Sequence, residues 1–167
     1  MKKVAVIMGS KSDLPIVQKA IEILQDFHVP FEAHILSAHR TPEALKKFAS
    51  QAHAHGFGIV IAAAGKSAHL AGVVASLTTL PVIAIPMLTS DLKGVDSLLS
   101  SVQMPSGIPV ACVGINASEN AALLALEILA INEPSLQNKL TCKRQEQEEK
   151  ILKADQEIYL TYKESHL

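Results

Sequence analysis

Three short segments gather the side chains best suited to chemistry. In Met8-Gly-Ser-Lys-Ser-Asp13, Gly9 allows a tight turn, and Ser10, Ser12 and free N–H groups at a helix start can hold a phosphate. Asp13 can accept hydrogen bonds from ribose hydroxyls or cap the helix, so the spacing fits both a phosphate site and an ordinary capped turn. It is neither a P-loop nor a GxGxxG fingerprint. In Ser37-Ala38-His39-Arg40-Thr41-Pro42, the Arg40 guanidinium is a planar fork suited to phosphate, and His39 can titrate near neutral pH. The competing reading is an exposed loop histidine beside a solvated arginine. In the third segment, Ala62 to Gly72, small residues bring backbone close to a ligand or to a packed helix, and packing is favoured for Gly72. His69 falls near an anion-ready helix start or on a helix surface. His53 and His55 lack the company of Cys or carboxylates that a metal site needs, and His28, His34 and His166 have no chemical neighbours, so no catalytic metal is expected.

These segments need a scaffold that brings them to one edge, and the pattern of elements supplies one. Short β-like runs at Lys3–Met8, Pro30–Leu36, Gly58–Ala63, Pro81–Ile85 and Ile108–Val113 alternate with helical segments. The helices are expected over Leu14–Phe27, Pro42–Ala54 (with Thr41 as N-cap), Ala68–Ser76, Asp96–Val102 and Asn120–Ile131. Several strands are continuous apolar runs, as when helices cover both faces of a parallel sheet. The reading is one α/β domain over residues 1–131, a three-layer doubly wound parallel sheet of flavodoxin or Rossmann type. In such sheets ligands sit beyond the carboxyl ends of the strands, where all three segments fall.

The remaining residues, 132–167, differ. No Gly, and no Pro after Pro134, interrupts them, and Leu136, Leu140, Ile151, Ala154 and Ile158 follow a 3–4 spacing. A helix over Pro134–Tyr162 would be about 43 Å long, whereas a domain of this size is about 30–35 Å across. The tail is therefore expected to extend beyond its own subunit and pack on a neighbour; the alternatives are two shorter helices separated by the polar Lys143–Lys150 run, or a solvated frayed end.

Composition excludes several classes. With 167 residues, 49% hydrophobic and 19% charged, the chain can fill a core and is too apolar to be disordered. Fifteen Lys and Arg against 16 Asp and Glu leave no basic excess for nucleic acid or an anionic membrane. Aromatics at 4%, with no Trp, supply neither base-stacking platforms nor flavin walls. No apolar run is long enough for a membrane helix or signal peptide. Cys112, in a strand-like run, and Cys142, in a polar helical segment, suggest no disulfide framework, so the cytoplasm is the expected compartment.

Taken together, the three segments resemble those of the 5-(carboxyamino)imidazole ribonucleotide mutases, the PurE family. Leu80-Pro-Val-Ile83, the run Gly94 to Val110 and Asn120-Ala-Ala-Leu-Leu-Ala125 match it too, in order, from about Val4 to Ile131. The resemblance implies a cofactor-free, metal-free mutase of purine biosynthesis, assembled as a homo-octamer, that moves a carboxylate from an exocyclic nitrogen to the adjacent ring carbon. It implies that Ser10, Ser12, Ser37 and Arg40 hold the ribonucleotide's phosphate, that Asp13 binds the ribose, and that His39 is the acid–base residue. Ala38, Gly65, Ser67, Ala68, His69 and Leu70 would complete the substrate pocket.

One departure bears on the reaction. Mutases of this family usually carry Gly-Ala where this chain has Lys66-Ser67. A related branch carboxylates aminoimidazole ribonucleotide directly with carbon dioxide, and Ser67 resembles that branch. However, that branch typically has Lys in place of Arg40 and lacks the histidine at His69, so both of these follow the mutase pattern. A response-regulator receiver would need acidic residues where Val6-Ile-Met8 and Ala62-Ala-Ala64 stand, and a flavodoxin-like carrier needs aromatic walls. A non-catalytic nucleotide-binding or assembly module would be distinguished by the absence of turnover dependent on His39.

Overall fold

Apolar, β-branched runs flanked by amphipathic segments build the sheet and its cover. A computed structural model describes residues 1–164; His166 and the last residues of the tail lie outside the described residues. The strands are β1 (Lys3–Met8), β2 (Phe31–Ile35), β3 (Phe57–Ala64), β4 (Val82–Pro86) and β5 (Ala111–Cys112), all parallel, in the order β2-β1-β3-β4-β5. The helices are α1 (Leu14–Asp26), α2 (Pro42–Gln51), α3 (Leu70–Leu77), α4 (Val95–Val102), α5 (Ser118–Ala130) and α6 (Pro134–Glu164).

Alternate residues of each central strand point to opposite faces, and each face has its own core. Val4, Val6, Ile59, Ile61, Ile83 and Ile85 meet Val17, Leu24, Ala125 and Leu126 of α1 and α5. Ala5, Ile7, Val60, Ala62 and Ala84 meet Leu45, Ala49, Leu70 and Val74 of α2 and α3. This is the expected three-layer architecture. The strand order reverses at β1, so the chain leaves β1 and β3 in opposite directions and opens a crevice there. The register makes the strand ends level: Met8 stands opposite Ile35 and Ala63, and Ala64 opposite Pro86.

Two expectations need correction at the edges. The fifth strand pairs only at Ala111 and Cys112, not over Ile108–Val113. Pro109 has no N–H to donate, and Gly107 turns the chain at φ 93°. Cys112 is accordingly only partly buried, on an edge strand; that burial still pushes its thiol above the ordinary value. Thr41 occupies the N-cap position of α2 but makes no side-chain cap. Its hydroxyl instead accepts from the Ser37 N–H (2.9 Å) and closes the preceding turn.

The tail is one continuous helix of 31 residues, about 46 Å long at about 1.5 Å per residue, not two shorter ones. Gln, Glu, Lys, Leu and Ala are good helix formers, and nothing between Lys143 and Lys150 breaks the backbone hydrogen bonding. Leu136 and Leu140 are buried in the α1–α5 core, and Lys139 Nζ donates to the Phe27 carbonyl at 3.0 Å. Ile151, Leu152 and Ile158 are exposed. A second exposed apolar surface runs along α4, which turns Ser97 and Ser101 inward and Val95, Leu99 and Val102 outward, next to Leu88 and Leu92. Ser97 Oγ donates to the Met87 carbonyl (2.7 Å) and Ser101 Oγ to the Ser97 carbonyl (2.8 Å), so the inward hydroxyls are satisfied. No helix among the described residues is long and apolar enough to cross a membrane.

Candidate active site

The carboxyl ends of β1, β2, β3 and β4 open into one cleft of about 780 Å³. Its lining includes Ser10, Ser12, Asp13, Ser37, Ala38, His39, Arg40, Gly65, Ser67, His69 and Leu70, so the structure brings eleven of the twelve expected residues together. The exception is Ala68, whose side chain is buried beneath the loop.

The first segment forms a short 3₁₀ turn, Lys11–Asp13. Ser10 Oγ accepts from the Ser12 N–H (3.3 Å) and the Ser12 hydroxyl (2.9 Å), while the Ser10 N–H donates to Asp13 Oδ2 (3.1 Å). This is a reciprocal capping box that closes the 3₁₀ turn, while Asp13 makes no side-chain cap on α1. The same contacts present both hydroxyls to the cleft. Half-burial raises the Asp13 carboxyl above its ordinary value; hydrogen bonds from Ser10 and Ser12 and the positive charge of Arg40 act in the opposite direction. A Cβ at Gly9 would meet nothing nearer than 3.9 Å, so the fold does not require glycine there. A side chain at this position would instead enter the cleft.

The second segment holds Arg40 across to the first. Its Nη2 donates to the Gly9 carbonyl at 2.6 Å, and its backbone N–H donates to Ser37 Oγ at 3.2 Å. The guanidinium therefore stands beside the serine turn. This gives one positive charge with donors from two loops, a suitable seat for a phosphate dianion.

The third segment faces the second. His39 Nε2 lies 2.8 Å from His69 Nδ1, with the rings nearly perpendicular at 82°. One of these nitrogens must donate and the other accept, so the pair shares a proton position. Gly65 permits the close approach: a Cβ there would lie 2.9 Å from Thr89 Cγ2 and 3.4 Å from Met87 Cβ. A Cβ at Gly72 would lie 3.1 Å from Met104 Sδ, so packing explains that residue. His39, Arg40, Ser67 and His69 are exposed, which leaves the cleft open in the single chain.

Sequence reasoning missed the fourth wall. Met87, Leu88, Thr89 and Ser90, after β4, also line the cleft. The strand-end rule applied to β4 could have found them, but the run lacks His, Arg or carboxylate to draw attention. Outside the cleft, His34 packs on Phe48 (5.0 Å between ring centroids) with Nε2 3.4 Å from Glu32 Oε2, and His28 Nδ1 lies 2.9 Å from the Asp26 carbonyl. Among the described residues, no cluster of three or more His, Cys, Asp or Glu could hold a metal ion.

Comparison with known proteins gives the site its relatives. The family model described as AIR carboxylase matches residues 3–150. N5-carboxyaminoimidazole ribonucleotide mutase of Pyrococcus abyssi is 55% identical over 84% of this chain and 80% of its own. The mutase of Methanocaldococcus jannaschii is 51% identical over 96% and 99%. A chloroplastic phosphoribosylaminoimidazole carboxylase of Vigna aconitifolia is 47% identical over 96% of this chain and 29% of its own length. The crystal structure of Treponema denticola PurE superposes with a TM-score of 0.85 at 29% identity, covering 93% of this chain and 97% of that one. Such agreement along nearly the whole chain, in sequence and in fold, means that the chain belongs to the AIR carboxylase family.

Proposed function

We propose that this protein is a mutase of purine biosynthesis. It would convert 5-(carboxyamino)imidazole ribonucleotide to 5-amino-1-(5-phospho-D-ribosyl)imidazole-4-carboxylate without a cofactor. The observation that carries the reading is that one cleft holds both the His39–His69 pair and the Arg40–serine cluster, an acid–base group together with a phosphate seat. The mutase names of the relatives with 51–55% identity support the choice of reaction.

The chemistry follows from that arrangement. Arg40, Ser10, Ser12 and Ser37 bind the phosphate, and Asp13 accepts from the ribose hydroxyls, which orients the base toward His39. Protonated His39 gives its proton to the exocyclic nitrogen as the carbamate C–N bond breaks, releasing carbon dioxide beside the ring. The ring carbon then attacks carbon dioxide, and neutral His39 takes the proton that leaves that carbon. One proton is given and one regained, so a single imidazole suffices. His69 holds the His39 ring and provides a site for its second proton. Ala38, Gly65, Ser67 and Leu70 shape the pocket around the aminoimidazole. His39→Asn tests this role: turnover should fall by at least about a hundredfold while substrate still binds, and turnover near the wild-type rate would refute it.

We also infer that the protein works as a cytoplasmic homo-oligomer, an octamer as the family resemblance implies. In this reading residues 1–131 form the catalytic domain and the 132–167 tail packs on a neighbouring subunit. Two unpaired apolar surfaces support it, one on the overhanging part of α6 (Ile151, Leu152) and one on the outer face of α4 (Val95, Leu99, Val102). Packing of copies over the open cleft would give carbon dioxide the water-poor chamber it needs. Multi-angle light scattering tests the assembly, and a monomer would refute it.

Direct carboxylation is the second reading. Ser67, after a lysine rather than a glycine, favours it, as does the carboxylase name of the Vigna relative. Arg40 and His69 favour the mutase.

A further inference from the structure

Lys66 lies in the left-handed region, at φ 56°, where Gly or Asn is the residue of least strain. Its side chain crosses from the β3–α3 loop to the loop after β4, where Nζ lies 2.8 Å from Asp91 Oδ2. Asp91 Oδ1 also accepts from Ser90 Oγ at 3.1 Å. Beneath this contact, the Met87 N–H donates to the Ala64 carbonyl (2.9 Å), continuing the β3–β4 ladder. Above it, among the described residues, no other hydrogen bond or ion pair joins residues 65–69 to residues 88–93. The two loops carry Ser67 and His69 on one side and Thr89 and Ser90 on the other, all on the cleft.

We propose that Lys66 and Asp91 form an ionic clasp across the mouth of the cleft, and that they are positioning residues which hold the His69 loop in register with His39. The kinetic side of this proposal rests on the reaction given above; the structural side does not. Lys66 is 70% exposed and Asp91 55%, so the pair is weak and screened by salt. That suits a tether that must open for a ribonucleotide to pass and then close again. A purely structural contact at this place would ask for burial, and a substrate ligand would leave Asp91 without a role. The mutual dependence of the two residues is therefore the distinguishing property.

The experiment uses the full chain as wild type, Lys66→Asn, Asp91→Asn and the swap Lys66→Asp/Asp91→Lys. Asn and Asp both tolerate the left-handed backbone, so the variants at Lys66 keep the loop. Hydrogen–deuterium exchange of segments 64–70 and 87–94 is the readout independent of activity. Both single variants should exchange about two- to fivefold faster there, as loss of an exposed ion pair allows, and the swap should restore protection. In kinetics at 50 mM NaCl the single variants should lower kcat about two- to fivefold with KM within about twofold, because the His69 loop then leaves its register with His39. At 500 mM NaCl the difference from wild type should vanish. Unchanged exchange in Asp91→Asn, or a defect in Lys66→Asn that Asp91→Asn and the swap do not share, overturns the clasp. If the wild type turns over neither substrate, the assigned reaction fails while the exchange data still decide the clasp.

Discussion

Gly65→Ala is the sharpest mechanical test of how the cleft is built. The new Cβ would stand 2.9 Å from Thr89 Cγ2 and 3.4 Å from Met87 Cβ. The first distance is shorter than carbon atoms adopt, so something must move. Thr89 cannot easily turn away, because its Oγ1 donates to the Asp96 carboxylate, 3.2 Å from Oδ1 and 3.4 Å from Oδ2, and its χ1 is stiff. Overpacking of this kind costs about 1–3 kcal/mol. In a chain of this size each kcal/mol lowers Tm by roughly 2–4 °C, so a fall of about 2–12 °C is expected in calorimetry. The clash also pushes the Ser67–His69 loop away from His39, so kcat should fall with Tm. Thr89→Ser removes Cγ2 but keeps the hydroxyl on Asp96, and the double variant Gly65→Ala/Thr89→Ser should recover most of both losses. A wild-type Tm in Gly65→Ala, or no recovery in the double variant, refutes the close approach as the reason for this glycine.

Three other perturbations probe separate parts of the account. Arg40→Ala should raise KM about 10- to 100-fold with a smaller change in kcat, since a charged hydrogen bond to phosphate is worth about 1.5–3 kcal/mol; an unchanged KM in steady-state kinetics excludes the clamp. Asp13 has its pKa raised by burial, so its contribution to stability is fully present below the ordinary 3.8 and is lost as pH rises through the folded value. At neutral pH the carboxylate therefore costs stability. Asp13→Asn should raise Tm at pH 7, lose that advantage in acid and weaken substrate binding; a lower Tm at pH 7 in the melting series contradicts this. Ile151→Glu/Ile158→Glu, on the exposed part of α6, should leave the secondary structure intact by circular dichroism and reduce the assembly in light scattering. An unchanged mass in that variant removes the tail from the interface.

Much of this fold was legible because both signals that define it are local. Continuous apolar runs such as Val4–Met8 and Ile59–Ala63, short, β-branched and alternating with amphipathic segments, fit a sheet covered on both faces. The strand-end rule then placed Ser10, His39 and His69 on one edge without any knowledge of distances. What stayed hidden depends on three-dimensional geometry that residue types and their period do not show. The shortness of β5 follows from Pro109 and the turn at Gly107, which interrupt an otherwise apolar run. That Thr41 bonds back to Ser37 rather than capping α2 depends on the geometry of one turn. The inverted α4, with serines inward, departs from hydrophobic patterning; Ser97 finds the Met87 carbonyl inside, while Val95, Leu99 and Val102 face outward. The Lys66–Asp91 pair, 25 residues apart in sequence, has no local signature at all.

A paired assay on purified protein without ATP tests the central claim most directly. One arm supplies 5-(carboxyamino)imidazole ribonucleotide and the other aminoimidazole ribonucleotide with bicarbonate, each with wild type and His39→Asn. Both arms are followed for the carbon-carboxylated product. The account predicts efficient conversion in the first arm only, abolished by His39→Asn with substrate binding retained. Conversion mainly in the second arm, or turnover that survives His39→Asn, would contradict it.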